Sequence, residues 1–194
     1  GRLSRPSLEE WPVPSWNDGY VVDVPYTWGY YQEMNPARVD FSLLLGGREP
    51  LPEGPCCELG FGQGVTVNVL AAGNPARRWW GNDFNASQAR QAIRTAQAAG
   101  AGATLTDESF AQFCAREDLP QFAFVALHGV FSWVSADDRA RIVDFLRRRL
   151  MVGGVVYVSY NVAAGWAAMA PVRQLFSVHA QRAASAGSGS VERM

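Results

Sequence analysis

The densest run of chemically useful residues is Glu58-Leu59-Gly60-Phe61-Gly62-Gln63-Gly64. Glycine has no Cβ, so three of them in seven residues let the backbone turn tightly and approach a ligand. An acidic side chain leads the run, and the apolar stretch around Cys56-Cys57 precedes it. In the dinucleotide fingerprint G-x-G-x-x-G the third glycine falls one residue later. Asp83 follows Gly64 by 19 residues, where a carboxylate can accept two hydrogen bonds from a ribose diol. Asp107-Glu108-Ser109 and then Phe110 stand where an adenine ring would lie. His128-Gly129 places an imidazole, whose ordinary pKa is near neutrality, after a further apolar run. Tyr160 and Asn161 close the last one.

These residues must be held by elements, and the pattern supplies them. Asn35 can cap a helix over 36–45, with Pro36 at its first position and Gly46-Gly47 as its stop. Strand-like runs are expected near 55–60, 78–83, 103–106, 121–127 and 154–160. Helical patterns fall between and after them, at 64–72, 86–99, 109–116, 136–150 and 167–184. Asn85 and the pair Ser135/Asp138 read as helix starts, and Gly100 as a stop. Strands and helices that alternate through short links require parallel pairing and right-handed crossovers. Near-continuous apolar strands agree with a sheet covered on both faces. The expected fold is a doubly wound, Rossmann-like α/β sheet, mostly parallel, with its ligand beyond the C-terminal strand ends. Every candidate residue above falls at such an end. Singly, each has a plainer reading: Asp83 as a helix cap, Asp107 as a turn residue, His128 as a buried, hydrogen-bonded ring. Their joint position favours a binding site.

Composition narrows the chemistry. The chain has 194 residues, 48% of them hydrophobic and 18% charged, which suits one folded domain. All 17 basic residues are arginine, against 18 acidic ones, for a net charge of −1. Without lysine there is no Schiff-base residue and no P-loop lysine. Near-zero charge gives no broad attraction to nucleic acid or anionic membrane. Three cysteines, two of them adjacent, match neither a disulfide framework nor a metal site. With no long apolar run, a cytoplasmic, membrane-free protein is expected.

The order and spacing of these features resemble the class I S-adenosylmethionine-dependent methyltransferases over about residues 55–160. Glu58-x-Gly60-x-Gly62-x-Gly64 resembles that family's first motif, Asp83 its ribose-binding acid and Asp107 its adenine-side acid. The resemblance implies the strand order 3-2-1-4-5 and S-adenosyl-L-methionine as cofactor. It implies a cofactor set of Tyr26, Glu58, Gly60, Phe61, Gly62, Gly64, Asp83, Phe84, Asp107, Glu108, Ser109, Phe110, His128 and Gly129, with no metal. A narrower likeness exists in Leu127-His128-Gly129-Val130-Phe131-Ser132-Trp133, Val158-Ser159-Tyr160-Asn161, Gly165-Trp166, Val24-Pro25-Tyr26 and Asn35-Pro36. It is to bacterial methyltransferases with a C-terminal methyltransferase regulatory domain. Some of these modify protein lysines, which makes a protein acceptor conceivable. The family core normally has two more strands; this chain shows no strand pattern after 160 and no regulatory domain. The expectation is a fragment or a shortened relative whose fifth strand is an open edge, a route to a homodimer.

The implied reaction is in-line displacement of the sulfonium methyl by a nitrogen or oxygen nucleophile, with the protein supplying position and a desolvated site. His128 is the candidate general base and Tyr160 a second candidate catalytic residue. An aromatic arm over 1–34, seven of whose residues are Trp or Tyr, precedes a core over 35–184 and a small-residue tail over 185–194. Tyr26, Tyr30 and Tyr31 are placed to fold over the cofactor as a lid, where aromatic faces would attract a sulfonium. Two other readings stay open. One is a non-catalytic binding module on this scaffold. The other is a nicotinamide-dependent oxidoreductase, disfavoured by the glycine spacing and the missing lysine.

Overall fold

A computed structural model describes residues 28–183. Tyr26, most of the aromatic arm and the tail over 185–194 lie outside the described residues.

Alternation builds the chain as the pattern requires. Helix α1 (Pro36–Leu45) starts at Asn35, whose side chain accepts from the Ala37 amide, with Pro36 at the first position. Then follow β1 (Cys56–Leu59), α2 (Val65–Gly73), β2 (Trp79–Asn82), α3 (Ala86–Ala99), β3 (Ala103–Thr106), α4 (Phe110–Ala115), β4 (Phe122–His128), α5 (Ala136–Arg149) and β5 (Leu150–Ser159). Short α6 (Ala163–Trp166) and α7 (Ala170–Ala183) come last. Asn85 caps α3 through its side-chain oxygen, and Gly100 ends that helix in the left-handed region at φ 59°.

The five strands form one sheet in the order β3-β2-β1-β4-β5, and all four pairings are parallel. This is the expected doubly wound topology. Adjacent residues on a strand face opposite sides, and Cys56 and Cys57 mark the two layers. Cys56 packs with Met34, Val67, Leu70, Trp79 and Ala92, beneath α1, α2 and α3. Cys57 packs with Phe113, Phe122, Ile142 and Phe145, beneath α4 and α5. All three cysteines are free and buried.

One boundary differs from expectation. The helix expected over 136–150 and the strand expected from 154 meet without a loop, because β5 begins at Leu150 directly after Arg149. Phe122 pairs with Leu150, but Phe124 pairs with Val155, so residues 151–154 bulge out of the ladder. Gly153 takes φ 79° there. The strand expected from 154 therefore begins four residues earlier and takes in Gly153. Among the described residues no helix is long and apolar enough to cross a membrane.

Candidate functional site

Strand order reverses between β1 and β4, and a crevice opens there beyond the strand carboxyl ends. Its wall includes Glu58, Gly60, Phe61, Gly62, Gly64, Asp83, Phe84, Phe110, His128 and Gly129. These are ten of the expected residues, drawn from the ends of β1, β2 and β4, the loops that follow them, and the start of α4 after β3.

The glycine turn is forced by its neighbours. Gly60, Gly62 and Gly64 all have left-handed φ, at 72°, 56° and 70°. A Cβ on Gly60 would lie 2.6 Å from a Val130 methyl, and one on Gly64 would collide with Ala92 of α3. The turn is closed by Gly60 N donating to Asn82 O at 2.9 Å and Gly64 N donating to Phe61 O at 2.9 Å. Gly62 N donates to Asp83 Oδ2 at 2.7 Å, and Asn85 N donates to Asp83 Oδ1 at 2.9 Å. Asp83 therefore fastens the turn to the start of α3.

Two carboxyls are buried at this point. Glu58 is 3% exposed, and its Oε2 has no hydrogen-bond partner. Burial, and secondarily the nearby Asp83, push its pKa well above the ordinary carboxylate range. Burial also pushes Asp83 up to about 6, against the opposing pull of its two backbone hydrogen bonds. A ligand offering donors to both carboxyls would relieve this desolvation.

The opposite wall carries His128. Tyr31 stacks on its ring with centroids 3.7 Å apart and planes 21° from parallel. Nδ1 faces Ser159 Oγ at 3.3 Å, Tyr157 Oη at 3.4 Å and Glu33 Oε1 at 3.8 Å. Ser159 Oγ also accepts from Gly129 N at 2.7 Å. Burial lowers the His128 pKa, and the Glu33 carboxylate partly restores it. Tyr31 N donates to Thr66 Oγ1 at 3.0 Å, and that hydroxyl donates to Gly29 O at 3.2 Å. Gly29, Tyr31 and Thr66 all line the cleft. Residues 29–31 thus cross from the start of α2 to the end of β4.

Other expected residues lie elsewhere. Asp107 is exposed and does not line the cleft. Glu108 accepts from Thr106 Oγ1 at 2.9 Å and pairs with Arg116 at 3.1 Å. Ser109 caps α4 in a reciprocal box with Gln112. Tyr160 is 61% exposed, outside the cleft, while Tyr157 is the β5 tyrosine beside His128. Thr66, Glu33 and Tyr157 have no local signal in the sequence, because their roles come from contacts between distant segments. Trp133 lines both this cleft and a neighbouring groove bounded by Asn161, Trp166, Met169 and Arg173. Among the described residues no cluster of three or more His, Cys, Asp or Glu side chains is placed to hold a metal.

No family model matches the chain. It is 41% identical over 165 residues to the uncharacterized protein sll1526 of a Synechocystis species, covering 83% of this chain and 32% of that protein. Its structure is similar to that of PKMT2 from Rickettsia typhi in complex with AdoHcy, with a TM-score of 0.74 and 24% identity. That likeness covers 87% of this chain and 33% of PKMT2. A more distant likeness, at TM-score 0.53 and 12% identity, is to the plantazolicin methyltransferase BpumL in complex with SAH, over 78% of this chain and 51% of that one. The chain spans about a third of the length of sll1526 and of PKMT2. Sheet order, glycine turn and these likenesses together give the chain the fold of the class I S-adenosylmethionine-dependent methyltransferases.

Proposed function

We propose that this chain is the cofactor-binding core of an S-adenosylmethionine-dependent methyltransferase, with residues 28–34 as part of its site. The observation that carries the reading is the joining of Gly62 and Asp83 in one cleft, beside a buried Glu58 oxygen without a partner. The residues fit the cofactor: Asp83 would take the ribose diol, Glu58 would answer its cationic end, and Gly60 leaves room where a side chain would meet Val130. Phe84 and Phe110 offer apolar walls for the base. That PKMT2 and BpumL are found in complex with AdoHcy and SAH supports the choice of cofactor.

When bound, the cofactor supplies a methyl group already activated as a sulfonium, so no metal or covalent enzyme intermediate is needed. The chain's own residues orient the acceptor, exclude water and receive its proton. His128 lines the cleft, and its burial lowers its pKa, which favours the neutral ring that a proton acceptor needs. A nitrogen or oxygen nucleophile, including one on a protein side chain, would reach it past Trp133 from the outer groove.

Calorimetry with S-adenosylmethionine, S-adenosylhomocysteine and NAD tests the reading. Binding of both adenosyl compounds without NAD, and label transfer from methyl-labelled cofactor to lysate components, is expected. NAD binding in preference to S-adenosylhomocysteine would replace the reading with an oxidoreductase. Binding without any transfer would leave a non-catalytic module.

A further inference from the structure

We infer that Glu33 and His128 form a proton-accepting pair, in which Glu33 is the positioning residue that sets the tautomer and basicity of the imidazole. The inference rests on the methyltransferase reading for its substrate.

Among the described residues, Ser159 Oγ, Tyr157 Oη and Glu33 Oε1 all face Nδ1 of the His128 ring. A proton on Nδ1 satisfies this side and leaves Nε2 with its lone pair for the acceptor. The acceptor's N–H or O–H bond then breaks, its electron pair stays on the acceptor, and the proton forms a new N–H bond at Nε2. The ring becomes an imidazolium, and its charge faces Glu33 at 3.8 Å. Tyr31, stacked at 3.7 Å, presents a π face to the same cation. Glu33 is the one carboxylate paired with this ring among the described residues, and it comes from the segment before α1 rather than from the sheet. The remaining titratable neighbour is Tyr157, whose hydroxyl faces both His128 and Glu33 and whose pKa is raised by burial. Glu33 thus acts on Nδ1 electrostatically across 3.8 Å, while the two hydroxyls stand at hydrogen-bond distance. Glu33 is 40% exposed and on a short turn, so replacing it leaves the core packing intact.

The chain has two histidines, His128 and His179, so ring-nitrogen NMR resolves both in the cofactor-free protein. Wild type is expected to show His128 in the Nδ1-protonated tautomer. Glu33→Gln is expected to lower the His128 pKa by about half a unit or more, leaving His179 unmoved. In methyl-transfer assays the acid limb of kcat/KM should move to lower pH by the same amount, with a plateau about tenfold lower. An unchanged His128 titration in Glu33→Gln overturns the inference, and so does an acid limb that ignores the titration shift. Failure of the methyltransferase reading looks different: S-adenosylhomocysteine does not bind while the His128 titration still shifts.

Discussion

Asp83 accepts the Gly62 amide at 2.7 Å, so the acid at the end of β2 and the glycine turn after β1 are one device. Its other oxygen takes the Asn85 amide at 2.9 Å. Each oxygen thus holds one backbone donor and keeps a lone pair directed elsewhere. Two substitutions separate the parts. Asp83→Asn keeps one acceptor oxygen and turns an NH2 toward the second amide, leaving a donor unpaired. Asp83→Ala removes both acceptors. We expect S-adenosylhomocysteine affinity to fall at least tenfold in the first and beyond detection in the second. Stability should fall by about 1–3 kcal/mol in either. Wild-type affinity in Asp83→Ala would overturn the ribose assignment.

The same carboxyl makes binding pH-dependent. Burial raises its pKa from 3.8 to about 6, so the folded chain holds this proton more tightly than the unfolded chain does. That contribution to stability is full below about pH 4 and is lost as pH rises toward 6. The two-unit shift corresponds to roughly 3 kcal/mol. Ligand donors favour the charged form, so cofactor binding should release a proton and weaken as pH falls below about 6. Calorimetry from pH 5 to 7.5 in two buffers of different ionisation heat reads both effects. Flat affinity and no proton release would show that Asp83 does not face the ligand.

The elements that local chemistry dictates were legible from sequence. Helix α1 between Asn35 and Gly46, α3 between Asn85 and Gly100, and β3 at 103–106 fall where capping residues and apolar runs place them. The cleft-lining members of the glycine turn, Asp83 and His128 follow from position at strand ends. What local pattern does not carry is contact across the chain. Thr66 reads as an ordinary first-turn residue, yet it receives a backbone amide 35 positions away. Tyr160 is the tyrosine that its place after the last strand suggests, whereas strand pairing of His128 with Ser159 brings Tyr157 beside the ring. Likewise Glu108 is drawn to Arg116 and Ser109 to the start of α4, interactions that compete with a role at the ligand.

The contact at Thr66 ties residues 29–31 across the cleft through two hydrogen bonds to one hydroxyl. Thr66→Val keeps the shape and deletes both, leaving the Tyr31 amide without this acceptor. We expect cofactor affinity to fall about tenfold, consistent with two neutral hydrogen bonds. Limited proteolysis before Pro36 should quicken and should slow again on adding S-adenosylhomocysteine. Thr66→Ser retains the hydroxyl and should behave as wild type. If Val and Ser variants bind equally, the crossing segment has no part in holding the cofactor.

Gly64 tests whether the turn is set by the ligand or by helix packing. It begins α2 at φ 70°, and a Cβ there would collide with the Ala92 Cβ while the Ala92 Cα lies at 3.3 Å. Ala92 is fully buried, so α3 cannot move aside without opening the layer that holds Leu70 and Trp79. Gly64→Ala combines left-handed strain, costing about 1–2 kcal/mol, with overpacking, costing about 1–3 kcal/mol. Pairing it with Ala92→Gly removes the clash but not the strain. The single variant should therefore lose about 2–5 kcal/mol in denaturant unfolding, and the double variant should regain part of it. The expected sign holds in the cofactor-free protein, because nothing in the collision involves a ligand. A Gly64→Ala chain as stable as wild type would mean that α2 and α3 can separate at this point, and that the third glycine answers to the cofactor alone.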